Sequence, residues 1–408
     1  MAKTCSIGLR SGEWRDRKTN LAPAGDVEEF TSAERGLRSA PYEDHRRSGA
    51  GPVTRFEIET LDLVAPLADE VLVRVVATGM CHTDLHARDG YFPNLPYPVV
   101  CGHEGAGIIE QVGAAVADLA PGDPVVISFP WCGECGPCQA TRIAYCERAR
   151  QLKSSGRRAN GSIPMSRNGD PVYSCFFQQS SFANFAVAPA KDVIKIRRDA
   201  PIEMLGPLGC GLQTGAGAVL NVMQPAAGQS IAVYGVGGVG LAGLMAARIA
   251  GCDPIIAVDR LSSRLVLARD LGATHTLESR GAETLAEIRK ITGGGTDFAL
   301  ETSAVPAVFR LAVDGLRGLG TCILVGSARA GTEVSFEMPW LQGGRTVRGV
   351  IQGDSRPRDF IPHLVDLFMA GRMPLDRLIT RYAFAEVNSA AADASSGAAI
   401  KPVLLLPQ

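Results

Sequence analysis

Net charge is what this chain has least of. Its 41 Lys and Arg are offset by 42 Asp and Glu, leaving -1, so no basic field is available to hold a nucleic-acid backbone. No apolar run is long enough to span a bilayer. The first residues lack a basic segment followed by an apolar one, and their many acidic side chains argue against a transit peptide. No internal repeat is visible. These absences leave a small soluble ligand as the expected partner, with no nucleic acid, no membrane and, by default, a cytoplasmic location.

Cysteine is not scarce. There are 11, but Cys132, Cys135, Cys138 and Cys146 crowd into one short segment and the others sit in apolar or motif contexts. That distribution reads as metal ligation in a reducing compartment and not as a secreted disulfide framework. Three thiols separated by two residues each wrap one tetrahedral ion, and the fourth closes it with no position left for substrate. The expected ion is a structural zinc that fixes a lobe.

At 408 residues the chain exceeds one typical core, and two domains are expected. The stretch Ser230 to Asp259 organises the second. Ile231 to Tyr234 reads as a strand, Gly235, Gly237 and Gly240 form G-x-G-x-x-G, Leu241 to Ala250 reads as a helix, and a second apolar run ends in Asp259. One glycine makes the turn, one lets backbone approach a pyrophosphate, and one lets helix and strand pack closely. Asp259 would accept hydrogen bonds from a free ribose 2′-OH, favouring NAD over NADP, although Arg260 beside it is of the type that accommodates a phosphate. Strands are expected near 231 to 234, 255 to 258, 297 to 301 and 321 to 325, alternating with helices as a doubly wound parallel sheet.

Residues 1 to about 50 show neither apolar period and are expected to form a poorly ordered extension, with His45, Arg46 and Arg47 a solvated basic cluster. From Phe56 short apolar runs separated by Gly and Pro turns predict β-rich structure. Leu152 to Val172, rich in Ser, Arg and Gly, reads as a loop. Cys81, His103 and Cys210 form a Cys₂His set suited to a zinc with an open fourth position. The same segments carry His82, Thr83, Asp84, His86 and Glu104, a density that suggests chemistry.

These residues, in this order, resemble the zinc-dependent medium-chain alcohol dehydrogenases from about residue 51 to 408. The likeness rests on GHEGAG at 102 to 107, the four-cysteine lobe and the GVGGVG turn. LGCGLQTGAGAVLNV at 208 to 222, QSSFA at 179 to 183 and GDSRPRDFIP at 353 to 362 look most like aryl-alcohol (benzyl alcohol) dehydrogenases. The resemblance implies an α/β protein: a β-rich GroES-like catalytic domain (51 to 211 and 352 to 408) and a Rossmann cofactor domain (212 to 351). It implies two zinc ions per chain, NAD, and reversible oxidation of an aromatic or allylic primary alcohol to the aldehyde. Cys81, His103 and Cys210 would hold catalytic zinc, with Glu104 a possible alternate ligand and Asp84 a supporting partner. Thr83 would accept the substrate hydroxyl proton and His86 would pass it to solvent.

His82 and Lys401 stand where the family places pyrophosphate contacts, usually arginine, which implies a more pH-dependent grip. Thr214, Arg264 and Val325 would complete the cofactor contacts, and Phe92, Phe129 and Ile351 would wall the substrate pocket. A homodimer or homotetramer assembled through the cofactor domains is implied. Two rivals remain. Arg150 is shared with thiol-dependent (glutathione or mycothiol) formaldehyde dehydrogenases, although Gly90 stands where that branch is expected to carry an acidic residue. A zinc-stabilised, nucleotide-binding interaction protein would instead work through residues 1 to 50.

Overall fold

Six strands form a wholly parallel sheet in the order His275–Glu278, Ile255–Asp259, Ile231–Tyr234, Thr296–Glu301, Leu316–Leu324, Thr346–Gly349. The order reverses at Ile231–Tyr234, the first of these strands in sequence, which puts a ligand crevice at its C-terminal end. Its residues are fully buried, as continuous apolar runs in a parallel sheet must be. The expected strands are all present. The computed structural model describes residues 2–9 and 55–407.

The glycine turn has physical causes at each position. Gly235 has φ +85°, a conformation costly for any residue with a Cβ. A Cβ at Gly240 would collide with the Gly235 carbonyl, whereas one at Gly237 would meet only the Arg264 guanidinium at 3.9 Å. Gly237 therefore faces space large enough for a ligand to approach. The helix Gly238–Ala250 then crosses the helix Gly211–Gly217 so tightly that a Cβ at Gly215 would strike the Val239 carbonyl.

The rest of the described chain builds two further sheets. One contains Val193–Lys195, Pro124–Ile127, Gly105–Val112, Glu70–Gly79, Lys401–Leu405 and Ile379–Ala383, with Phe185–Pro189 paired to Glu70–Gly79. Lys401–Leu405 returns from beyond the parallel sheet to pair antiparallel with Glu70–Gly79, so the C-terminal segment closes the β-rich unit.

Two expectations require correction. Within the first 50 residues, Ala2–Leu9 is not an extension: it pairs antiparallel with Glu57–Leu63 and also with Val99–Val100. Thr4, Ser6, Ile7 and Leu9 are all buried, so the strand is covered on both faces and small hydroxyl residues conceal the alternation that marks a strand. The remainder, including His45, Arg46 and Arg47, lies outside the described residues. The stretch 152 to 172 is not wholly a loop either. Met165–Arg167 and Asp170–Val172 form a hairpin across Asn168 and Gly169, both at positive φ, the two-residue turn that Asn-Gly favours. Arg158 in the same stretch is buried against Glu70, with Nη2 2.8 Å and Nε 2.9 Å from the carboxylate.

Candidate functional site

Two segments following strands of the β-rich unit and one segment before the parallel sheet converge on a single point. Cys81 caps the short helix His82–Arg88, His103 and Glu104 precede Gly105–Val112, and Cys210 precedes Gly211–Gly217. One ligand atom from each of Cys81, His103, Glu104 and Cys210 lies within 4.8 Å of the others. His103 Nδ1 lies 3.0 Å from Asp84 Oδ1, which orients the ring, and its Nε2 is buried without a hydrogen-bond partner. An orphaned imidazole nitrogen beside two thiols has the donor chemistry of a zinc site. The sequence-expected Cys₂His set is thus assembled.

Asp84, with no solvent exposure, organises this point. Its Oδ1 also accepts the Gly102 N–H at 3.0 Å, and its Oδ2 accepts the Cys81 N–H at 3.0 Å. The electrostatics follow from crowding. A hydrogen bond from the Cys210 thiol is the largest influence pulling Cys81 well below the usual thiol range, while Cys210 is pushed up by the same contact. Burial alone would lower His103, but the Asp84 carboxylate overrides it and raises His103 to about 10.

Glu104 is bound to another partner. Lys401 Nζ sits 2.9 and 3.0 Å from its two oxygens, with Lys401 5% exposed and Glu104 fully enclosed. Burial raises the Glu104 carboxyl, and the ammonium opposes that shift. Lys401 also lies against the glycine turn, its Cε 3.4 Å from where a Cβ of Gly238 would stand. The lysine expected to touch pyrophosphate is therefore committed to the carboxylate beside the metal ligands.

Thr83 Oγ1 lies 3.7 Å from Cys81 Sγ. One turn along the same helix, His86 stacks on Tyr91 with centroids 4.4 Å apart and lines a cavity of about 430 Å³ shared with Ala304, Ser327 and Arg329 of the other unit. Burial lowers His86 below the usual imidazole range, and the neighbouring His82 adds to the effect. His82 is exposed at the helix start. Thr214 Oγ1 donates to the Cys210 carbonyl at 2.9 Å, and the Val325 N–H to the Glu301 carbonyl at 2.9 Å. Asp259 is anchored from two sides, accepting the Val236 N–H at 2.8 Å and the Leu261 N–H at 3.0 Å, with Arg264 Nη1 at 3.9 Å.

Of the three expected pocket walls, Phe92 is half-buried and packs edge-on to Phe176 at 6.3 Å. Phe129 is buried, and Ile351 is 45% exposed. Sequence reasoning missed the aromatic rings that pack on His103, namely Phe177 at 4.6 Å and Phe176 at 5.8 Å between ring centroids. Phe177, Gln178 and Ser180 all have positive φ, a strained turn. It is held by Gln178 donating to the Leu152 and Arg157 carbonyls, by Gln179 donating to the His103 carbonyl, and by Ser180 donating to the Val100 carbonyl. Gln352 was also missed; its amide reaches Cys210 Sγ at 3.9 Å. No local signal marks these residues, because each matters through a distant partner.

The second cysteine set is equally compact. Cys132 and Cys138 sulfurs are 3.9 Å apart and Cys135 and Cys146 sulfurs 4.0 Å, close to the edge of a tetrahedron with metal–sulfur bonds of about 2.3 Å. Backbone amides of Glu134 and Cys135 donate to Cys132 Sγ at 3.4 Å, and that of Cys132 to Cys146 Sγ at 3.3 Å. Burial opposes ionisation of Cys132, yet those amides outweigh it and bring the thiol down to about 6. None of the eleven cysteines is in a disulfide.

The sequence matches the Alcohol dehydrogenase GroES-like domain over residues 67–198 and the Zinc-binding dehydrogenase domain over 238–370. It is 40% identical to the geraniol dehydrogenase of Castellaniella defragrans, over 93% of this chain and 99% of that one. Among solved structures, a zinc-binding-domain alcohol dehydrogenase protein from Burkholderia ambifaria superposes with TM-score 0.88 at 44% identity, covering all of both chains. The benzyl alcohol dehydrogenase of Acinetobacter calcoaceticus superposes with TM-score 0.84 at 44% identity, covering 88% of this chain and 97% of that one.

Proposed function

The chain belongs to the zinc-dependent medium-chain alcohol dehydrogenases, and from that premise we propose that it oxidises an aromatic or allylic primary alcohol reversibly to its aldehyde with NAD. The observation that carries the reading is His103 Nε2, buried, unpartnered and grouped with Cys81 and Cys210. These three residues would hold the catalytic zinc, and Cys132, Cys135, Cys138 and Cys146 would hold the structural one. When bound, the catalytic zinc supplies Lewis acidity that favours loss of the alcohol proton, and NAD supplies the hydride acceptor.

The chain's own residues do the rest. Asp84 fixes the His103 tautomer so that Nε2 faces the ligand group. Thr83, beside Cys81, accepts the hydroxyl proton, and His86, kept neutral by its lowered pKa, passes it toward solvent. Phe92, Phe176 and Phe177 form an apolar wall that suits a conjugated substrate and excludes water. Gly235, Gly237 and Gly240 cradle the pyrophosphate, assisted by His82, while Lys401 stays paired with Glu104 beside the turn, and Thr214, Arg264 and Val325 complete the cofactor contacts. Asp259 is fixed by two backbone amides and resists the shift that a ribose 2′-phosphate would demand, which supports NAD over NADP.

The domain division 51–211 with 352–408, and 212–351, accompanies this reading, as does a cytoplasmic location, with eleven cysteines and no disulfide among them in its favour. Assembly into a homodimer or homotetramer through the cofactor domains is supported by the edge strand Thr346–Gly349, whose residues are all exposed. No helix among the described residues is long and apolar enough to cross a membrane.

The test is NADH formation at saturating benzyl alcohol, cinnamyl alcohol, geraniol and ethanol, with NAD and with NADP, for the wild type and Cys81→Ser at matched structural zinc. Activity on the aromatic and allylic alcohols that vanishes in Cys81→Ser supports the proposal. Turnover only of a thiol–formaldehyde adduct replaces it with the formaldehyde branch, and no turnover in either direction at full zinc content ends it.

A further inference from the structure

One cation beside the site has no part in the chemistry above. Lys153, in the helix Ala149–Ser154 that follows the four-cysteine lobe, is half-buried, and its Nζ lies 5.5 Å from the centroid of Phe177. Phe177 in turn tilts against His103 at 4.6 Å, so one ring neighbours both a metal-ligand imidazole and an ammonium. No hydrogen bond or ion pair engages its Nζ among the described residues.

The arrangement is built. Gln178 Nε2 donates to the Leu152 carbonyl at 3.0 Å and to the Arg157 carbonyl at 2.8 Å, tying the residue before Lys153 to the strained turn that carries Phe177. An ammonium offers three donors, and Lys153 Nζ, which water still reaches, gives none of them to a protein acceptor among the described residues. Phe177 already supplies a ring face. What Lys153 lacks is an oxygen.

We propose that Lys153 is a specificity residue of this site, receiving above the face of Phe177 a carboxylate carried by an aromatic primary alcohol at the end remote from its carbinol. Because Phe177 neighbours both His103 and Lys153, a benzene ring packed on Phe177 would have the zinc ligands near its carbinol and the ammonium near its carboxylate. This inference rests on the reading of the site as an alcohol dehydrogenase. The lysine stem supplies apolar contact to the substrate ring while its tip supplies charge.

The experiment compares 4-(hydroxymethyl)benzoate with benzyl alcohol on zinc-loaded wild type, Lys153→Met and Lys153→Arg, with zinc content and circular dichroism establishing that each variant is folded. Lys153→Met is expected to lower kcat/KM for the carboxylate substrate roughly 30-fold or more, chiefly through KM, with Lys153→Arg retaining most of it. The loss on benzyl alcohol should be much smaller, since only the stem's apolar contact with its ring changes. Equal losses on both substrates, or no loss on either, overturn the proposal. If wild type oxidises neither, the dehydrogenase reading itself fails. Calorimetric binding of 4-(hydroxymethyl)benzoate to the zinc- and NAD-loaded protein then decides: binding lost in Lys153→Met sustains the carboxylate site, and binding absent or indifferent to Lys153 overturns it.

Discussion

Asp84 and His103 meet carboxylate to imidazole at 3.0 Å, and neither side chain has any solvent exposure. The same carboxylate takes the backbone amides of Cys81 and Gly102, so one residue sets the positions of two ligand-bearing segments. Asp84→Asn keeps the shape but removes the charge that raises His103. Zinc affinity should fall about 10- to 100-fold, read by metal content after dialysis against a weak chelator. Unchanged retention would show that the carboxylate does not tune the ligand.

Glu104 and Lys401 form a buried pair whose members depend on each other. Removing only the lysine, as Lys401→Met, leaves an uncompensated carboxylate and should cost about 3–5 kcal/mol of stability in urea titration. Adding Glu104→Gln should return much of that loss. If the two changes are additive within about 0.5 kcal/mol, the pair is not energetically coupled.

His86 titrates below the usual imidazole range, mainly because it is buried and partly because His82 is near. A lowered pKa keeps the imidazole unprotonated to lower pH, so the acidic limb of kcat/KM should lie below pH 6.5. His82→Asn removes a repelling charge, raises His86 and moves that limb to higher pH. His82→Arg keeps a permanent charge and should not move it up. Profiles at saturating NAD distinguish the two, and a limb that ignores both changes removes His86 from the proton path.

Gly237 and Gly240 differ in what a methyl group would meet. Gly240→Ala should destabilise the fold, because the Gly235 carbonyl occupies the space. Gly237→Ala should leave thermal unfolding unchanged while raising the NAD KM, since that open side is where the proposed pyrophosphate contact would lie. Equal effects on stability would mean that neither glycine faces the ligand.

The parallel sheet and both cysteine sets were legible because their signals are local. A strand, three glycines and a helix fit within one short stretch, and thiol spacings report chelation directly. Phe176, Phe177 and Lys153 were not legible, since their placement depends on left-handed backbone at residues carrying a Cβ and on Gln178 reaching a carbonyl 26 positions away. The hairpin at 165 to 172 had a readable Asn168-Gly169 turn hidden by polar neighbours. The first strand could not be read from its pattern, because Thr4 and Ser6 are buried where an apolar residue would ordinarily stand.

The strained turn at 177 to 180 also bears on how this enzyme can diversify. Its backbone is fixed by hydrogen bonds from side chains whose own partners are the main-chain carbonyls of Val100, His103, Leu152 and Arg157. Those carbonyls are indifferent to the side chains that bear them, so residues around the turn can be exchanged without unseating it. Lineages that change their alcohol are therefore expected to vary at Lys153 and at the ring of Phe177, while Gln178, Gln179 and Ser180 stay as they are.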